Sequence, residues 1–277
     1  MPYLTLAIVL LVFGIVLYLI FRRRPEKPLP PIDDEWRTLL QKNVVYYRNL
    51  NAAEQQHFKE RMQLFFQQVT VTGIETEITI LDKVLIAASG IIPTFGFPHW
   101  NQYPHLNEVL LYKDHFRFGD FATEGEDRRV AGMVGGGFLN GKLLLSRPSL
   151  HQGFLQNGTG NTGIHEFVHL LDKADGETNG VPAYYLENGY IIPWMEMIRK
   201  EAAAIERGRS DIDSYALTNK AEFFAVTAEY FFNKPAVFAE KYPELFALLE
   251  TVFKQDMDED GGIGTVDGEQ VIKPQKG

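Results

Sequence analysis

Hydrophobic and polar positions follow three distinct regimes along this chain. Tyr3 to Phe21 reads YLTLAIVLLVFGIVLYLIF, without a charge and without a polar face. These 19 positions make roughly 28 Å of helix, close to the hydrocarbon thickness of a bilayer, so the stretch predicts a transmembrane helix. From Asn51 to Gln68 the apolar residues Phe58, Met62, Phe65 and Phe66 recur at helical spacing behind an Asn51 cap. A further helix is predicted over Asp82 to Ser89, closed by Gly90. EVLLYKDHF and KLLLSRPSL read as strands around a loop rich in Glu, Asp, Arg and Gly. Three later runs, PWMEMIRKEAAAIERG, AEFFAVTAEYFF and YPELFALLETVFKQ, are helical again. Helices dominate and a few strands sit between them, which defines a mainly helical α+β class.

Charge adds an orientation to the first regime. Arg22, Arg23 and Arg24 follow the apolar run, whereas a cleaved signal peptide carries its charge before it. The positive-inside rule then predicts a single-pass membrane protein with its N-terminus outside and its domain in the cytoplasm. Pro25, Pro28, Pro30 and Pro31 stiffen a linker. The expected organisation is an anchor with basic flank over 1–24, a Pro-rich linker over 25–35, a globular domain over 36–255 and an acidic tail over 256–277. A formal net charge of -9 argues against nucleic acid as a partner. Without cysteine, any metal must be held by histidines and carboxylates.

His165-Glu166-Phe167-Val168-His169 supplies that chemistry in the HExxH pattern. Four residues are about one helical turn, so both imidazoles stack on one face and can converge on one ion. Asn161 or Thr162 can cap the helix, Leu170 and Leu171 continue its apolar pattern, and Gly176 offers a stop. Glu166 then lies beside the metal, placed to take a proton from a zinc-polarised water and pass it to a leaving amine. The expected metal is one Zn2+ per chain.

A catalytic zinc usually has a third protein ligand, and two residues compete for the position. Asp175 lies ten residues after His165, but the sharp turn it needs calls for glycine where this chain has Asp172. Glu222 lies three residues after Asn219 at the start of a Phe-rich helix. Its carboxylate is either a ligand or the second half of an Asn-x-x-Glu capping box. Glu229 sits two turns further along the same face, where it can support a histidine ligand from behind or serve a structural pairing.

IHEFVHLLDKADGETNGVP, followed about forty residues later by SYALTNKAEFFAVTAEYFF, resembles the Mlc titration factor A family of zinc peptidases. That family shares a gluzincin-type site with the catalytic domain of anthrax lethal factor. The resemblance runs from about Trp36 to Gln255, with further matches in AAEQQHFKERMQLFFQQ, LDKVLIAASG and YPHLNEVLLY. It implies a zincin-like domain with His165, His169 and Glu222 as zinc ligands, Glu166 as general base and Tyr215 as a hydroxyl that stabilises the oxyanion. It also implies a peptide or protein substrate and a regulatory partner, a glucose-responsive transcriptional repressor. A phenol opposite the zinc can donate to a developing oxyanion, which gives Tyr215 a physical logic of its own.

Two functions follow as expectations. The first is a membrane-anchored zinc metallopeptidase, and the second is a zinc-stabilised module that sequesters a regulatory protein at the membrane. The tail from Asp256 to Asp267 also resembles an EF-hand loop, with Asp256, Asp258 and Asp260 at positions 1, 3 and 5 and Gly261 at position 6. Asp267 replaces the bidentate glutamate, so the stretch reads either as a weak Ca2+ site or as a solvated acidic tail.

Overall fold

Capping residues set the first helices of the computed structural model, which describes residues 31–99, 103–116, 132–134, 141–155, 160–175, 179–181, 188–257 and 263–265. Asp33 accepts backbone hydrogens at the start of α1 (Asp34–Asn43), and the short α2 (Val45–Asn49) follows. Asn51 caps α3 (Ala52–Gln68), as the sequence predicts, and Glu54 completes a reciprocal capping box, with Phe58, Met62 and Phe65 buried. After β1 (Thr70–Ile74), a second capping box of Thr79 and Asp82 opens α4 (Ile80–Ile91).

Helix α4 runs past Gly90 because that glycine marks a close approach and not a stop. A Cβ there would stand 2.8 Å from the Phe167 ring. Strand β2 (Glu108–Tyr112), edge strand β3 (Gly132–Val134) and β4 (Lys142–Ser146) complete a four-stranded sheet in the order β1-β2-β4-β3. Strands β1, β2 and β4 are parallel, and β3 runs antiparallel to β4. The run KLLLSRPSL is therefore half strand. Ser146 caps a helix, α5 (Arg147–Gly153), with Pro148 in its first turn, where a missing N–H costs nothing.

The second half is helical: α6 (Thr162–Asp172), α7 (Asn188–Glu206), α8 (Lys220–Asn233), α9 (Pro235–Lys241) and α10 (Pro243–Phe253). Helix α8 buries Phe223, Phe224, Phe231 and Phe232 on several faces, the pattern of a helix surrounded by protein. Phe253 of α10 stacks on Phe224 and Phe231. A two-stranded hairpin, β5 (Gln255–Met257) with β6 (Ile263–Thr265), follows α10.

Asp82 ties α4 to α5. Its carboxylate, fully buried, accepts from the Thr79 N–H and hydroxyl, from Arg147 Nη2 at 2.8 Å and from His151 Nε2 at 2.7 Å. Burial pushes this carboxyl up, but the bonds from His151 and Thr79 and the Arg147 charge outweigh it and hold it at about 2 against an ordinary 3.8. A depressed carboxylate contributes stability above its unfolded value that is lost as pH falls through the folded one. About 2 kcal/mol is therefore expected to vanish between about pH 4 and pH 2. Urea denaturation across that window checks it: wild type should lose about 2 kcal/mol more than Asp82→Asn, and parallel curves would contradict the assignment.

The membrane expectation needs correction. Among the described residues no helix is long and apolar enough to cross a membrane. The stretch from Tyr3 to Phe21 that motivated a transmembrane anchor lies outside the described residues, as do the arginines behind it. The described fold is mainly helical, with a four-stranded sheet and a two-stranded hairpin. A preceding transmembrane helix, a membrane partner and a single-pass topology with an outside N-terminus are without structural support and are withdrawn.

Candidate metal centre

Helix α6 carries the HExxH pattern because Asn161 caps it, accepting from the Ile164 N–H while its amide donates to Gly153 O. One face of the helix is core: Ile164, Phe167, Val168 and Leu171 are all buried. The adjoining face brings His165 and His169 together, with their Nε2 atoms 3.1 Å apart. Helix α8 supplies the third group. Asn219 caps its first turn by accepting from the Glu222 N–H, and the Glu222 carboxylate turns to the two histidines of α6. Glu222 Oε2 lies 3.0 Å from His165 Nε2 and 3.3 Å from His169 Nε2.

Those three spacings fit a metal. Ligands at about 2.0 Å in tetrahedral geometry stand about 3.3 Å from one another, close to the triangle drawn by the two imidazoles and the carboxylate. Among the described residues, His165, His169 and Glu222 are the one group of three or more histidines and carboxylates able to hold an ion. The donor set of two nitrogens and one oxygen suits zinc, and the cluster could coordinate a zinc ion. The side chain of Asp175, the competing candidate, lies outside what the structure describes, although its backbone ends a 3-10 turn (Lys173–Asp175).

Glu229 stands behind His165. It takes the His165 Nδ1–H at 2.5 Å on one oxygen and the Asn161 backbone N–H on the other. A carboxylate on the distal nitrogen fixes the tautomer, so the Nε2 lone pair faces the other ligands. The Nδ1 of His169 is buried with no hydrogen-bond partner among the described residues.

Electrostatics of the cluster favour a cation. Burial pushes the His165 imidazole down, but the bonds from Glu222 and Glu229 outweigh that and raise it to about 10. Burial alone pushes Glu222 up, yet its bonds to His165 and His169 bring it to about 2. Glu166, itself buried, is raised to about 6, by burial first and by Glu222 and Glu229 after partial relief from the histidines. Tyr215, on a 3-10 turn (Ser214–Leu217) just before α8, is 53% exposed and its ring centroid lies 6.1 Å from that of His165. Burial of its hydroxyl and the nearby Glu222 and Glu166 charges push that phenol up.

Several supporting residues escape the sequence reading. A Cβ on Gly132 of strand β3 would come within 2.6 Å of the Glu166 side chain, so the edge strand passes directly over that carboxylate. Asp172, noted in the sequence only for not being glycine, is buried and accepts the Gly180 N–H on both oxygens. Gly180, at φ +71, abuts the backbone of Lys220 and Ala221, and its carbonyl accepts from Trp194 Nε1 at 2.7 Å. These contacts set the first turn of α8 and hence Glu222. The glycines carry the only sequence signal, since each stands where a side chain would collide. Of the suggested calcium ligands, Asp258 and Asp260 lie outside the described residues, and Asp256 is an exposed residue of β5; no described group supports a calcium ion.

Two histidines one turn apart, a glutamate between them and a carboxylate from a later helix define a zincin-type metal centre. The chain belongs to the glucose-regulated metallo-peptidase M90 family, whose sequence profile matches residues 20–254. It is 29% identical over 264 residues to an uncharacterized protein of Synechocystis, covering 90% of this chain and 93% of the relative. It is also 28% identical over 227 residues to Mlc titration factor A of Pectobacterium atrosepticum, covering 76% and 79%. The Salmonella arizonae Mlc titration factor A is 30% identical over 225 residues, covering 75% and 86%. The family read from the two zinc-site segments is thus the family to which the whole domain belongs.

Proposed function

We propose that this protein is a zinc-stabilised module that binds and sequesters a regulatory protein, such as a transcriptional repressor. The observation that carries the reading is the likeness to relatives named Mlc titration factor A, which spans 75% to 80% of this chain. The surroundings of the metal centre support it. Tyr215 and Leu217 are 53% and 37% exposed on one turn beside the ligands, and aromatic and aliphatic groups held at a rigid surface favour protein partners. His165, His169 and Glu222 would hold the zinc ion, and as ligands from α6 and α8 they would then tie the two helices together beside that turn. This reading replaces the membrane-anchored peptidase, which loses its anchor to the absence of a spanning helix among the described residues and its precedence to the titration factors.

Peptide hydrolysis at the same centre is the second reading, favoured by the position of Glu166. His165, His169 and Glu222 would hold a zinc ion, which would supply Lewis acidity. The Glu166 carboxylate, raised to about 6 and buried beside those histidines, is placed to take a proton from an attacking water and return it to the leaving amine. Glu229 keeps the His165 Nδ1–H engaged, and the Tyr215 hydroxyl donates to the developing oxyanion.

Glu166→Gln separates the two readings, because it removes a base and no ligand. The zinc-loaded full chain is used to retain proteins from its host, identified by mass spectrometry, beside the Glu166→Gln and Glu222→Ala chains. A regulatory protein retained equally by wild type and Glu166→Gln, and lost with Glu222→Ala, is the expected result. Loss of that protein with Glu166→Gln at full zinc content, or no regulator above a zinc-stripped control, would contradict it. If hydrolysis also operates, Glu166→Gln lowers single-turnover peptide cleavage by about a hundredfold or more.

A further inference from the structure

The two helices that carry the metal ligands are joined at both ends of α6. At its N-terminus Glu229 of α8 takes the His165 Nδ1–H and the Asn161 backbone N–H. At its C-terminus, one turn beyond His169, the join runs through a loop. Asp172 is 1% exposed and accepts the Gly180 N–H on both oxygens, at 3.0 and 2.9 Å. On the reading that His165, His169 and Glu222 hold zinc, we propose that Asp172 is a positioning residue for the metal. It holds the first turn of α8 where the Glu222 carboxylate meets the two histidines.

Short, rigid links lead from one ligand helix to the other. Asp172 stands one turn after His169 on α6, so its carboxylate is fixed relative to both imidazoles. Gly180 abuts α8 so closely that a Cβ there would stand 2.1 Å from the Lys220 carbonyl carbon and 2.5 Å from the Ala221 nitrogen. Its carbonyl is held from the other side by Trp194 Nε1 at 2.7 Å. The Trp194 ring then meets Phe223 and Phe224 edge to face, with centroids 6.4 and 5.5 Å apart. Glu222 therefore lies between two residues whose backbone rests on Gly180 and two whose rings rest on Trp194. None of these contacts uses a ligand atom, so they set the spacing of the ligands without competing for an ion. Ligands already in position lose less freedom when an ion binds, and outer partners of this kind typically contribute about tenfold to a hundredfold in metal affinity.

Co2+ makes the test, because its visible bands are strong in a tetrahedral site and weak where water completes six-coordination. Full-length wild type, Asp172→Ala, Asp172→Asn and Leu40→Ala are titrated with Co2+ and, against a competing chelator, with Zn2+. Asp172→Ala should lower zinc affinity about thirtyfold and flatten the cobalt bands. Asp172→Asn keeps the shape and one acceptor for the Gly180 N–H, and should lose about fivefold. Leu40→Ala truncates a fully buried side chain on α1, which packs against α4, and should lower stability while zinc affinity stays within about twofold. Unchanged affinity and bands in Asp172→Asn, or an equal loss of affinity in Leu40→Ala, would overturn the proposal even if Asp172→Ala failed to fold. Absence of cobalt bands in wild type would overturn the metal centre and the role of Asp172 with it, whereas strong wild-type bands with unchanged Asp172 variants would overturn that role alone.

Discussion

Replacing Glu222 with Ala is expected to lower zinc affinity by about a thousandfold, or about 4 kcal/mol. The carboxylate closes the triangle with His165 and His169 at 3.0 and 3.3 Å, and it is the ligand that links α8 to α6. Its own backbone N–H is capped by Asn219, so truncation leaves the helix start intact. The two remaining histidines still offer a site, but with a positively polarised ion left short of one anionic donor. Isothermal titration with competing chelator checks the number. Affinity within threefold of wild type would remove Glu222 from the ligand set and reopen the third position.

Phe167→Ala is expected to destabilise the protein by about 4 kcal/mol, the largest effect among substitutions outside the metal ligands. Phe167 lies inside the HExxH segment but packs into the core, fully buried. Its ring sits 5.1 Å from that of Tyr103 and 6.0 Å from that of Phe65, and it fills the notch left by Gly90. Truncation opens a cavity where α3, α4 and α6 meet, and rigid neighbours limit its collapse. Equilibrium unfolding in urea should show the loss at constant m value. A loss under 1.5 kcal/mol would mean that the surrounding helices close the gap, and that the helix bearing the histidines is held mainly by something other than this ring.

The reason both substitutions can be specified lies in how unevenly the chain states its structure. The histidine helix is legible because its evidence is local: two histidines four apart, an Asn161 cap and a repeated apolar face all fall within about a dozen residues. Glu222 is another matter. Asp172 in place of a turn glycine counts against Asp175, but the fifty-odd residues between His165 and Glu222 carry no period, and spacing alone leaves Glu222 between ligand and helix cap until the family resemblance is added. Gly90 misleads for a similar reason. A glycine near the end of an apolar run reads as a stop, and nothing local reveals that a ring from α6 needs its missing Cβ. In KLLLSRPSL the apolar pattern carries a reader past Ser146, although a serine followed by Arg-Pro is a helix start.

Buried charge is the part least visible beforehand. Asp82, Arg147 and His151 come from two helices and converge only in the fold, yet Thr79-x-x-Asp82 is a readable capping box that places the carboxylate at the right turn. Glu229 is intermediate. Its seven-residue offset from Glu222 puts both on one face, which is legible, while its choice between supporting a histidine and pairing elsewhere is decided by contact with His165 and with the Asn161 backbone. The apolar N-terminal run lies outside the described residues, and among those no helix is long and apolar enough to cross a membrane.

Metal stoichiometry of the purified full chain tests the central claim most directly, because every part of the account turns on one ion held between α6 and α8. Protein prepared without chelator is analysed by inductively coupled plasma mass spectrometry beside His165→Ala and His169→Ala variants. About one zinc per wild-type chain, falling to a small fraction in each variant, is the expected result. A wild-type content near zero after equilibration with zinc, or equal content in the three proteins, would contradict the metal centre and the function built on it.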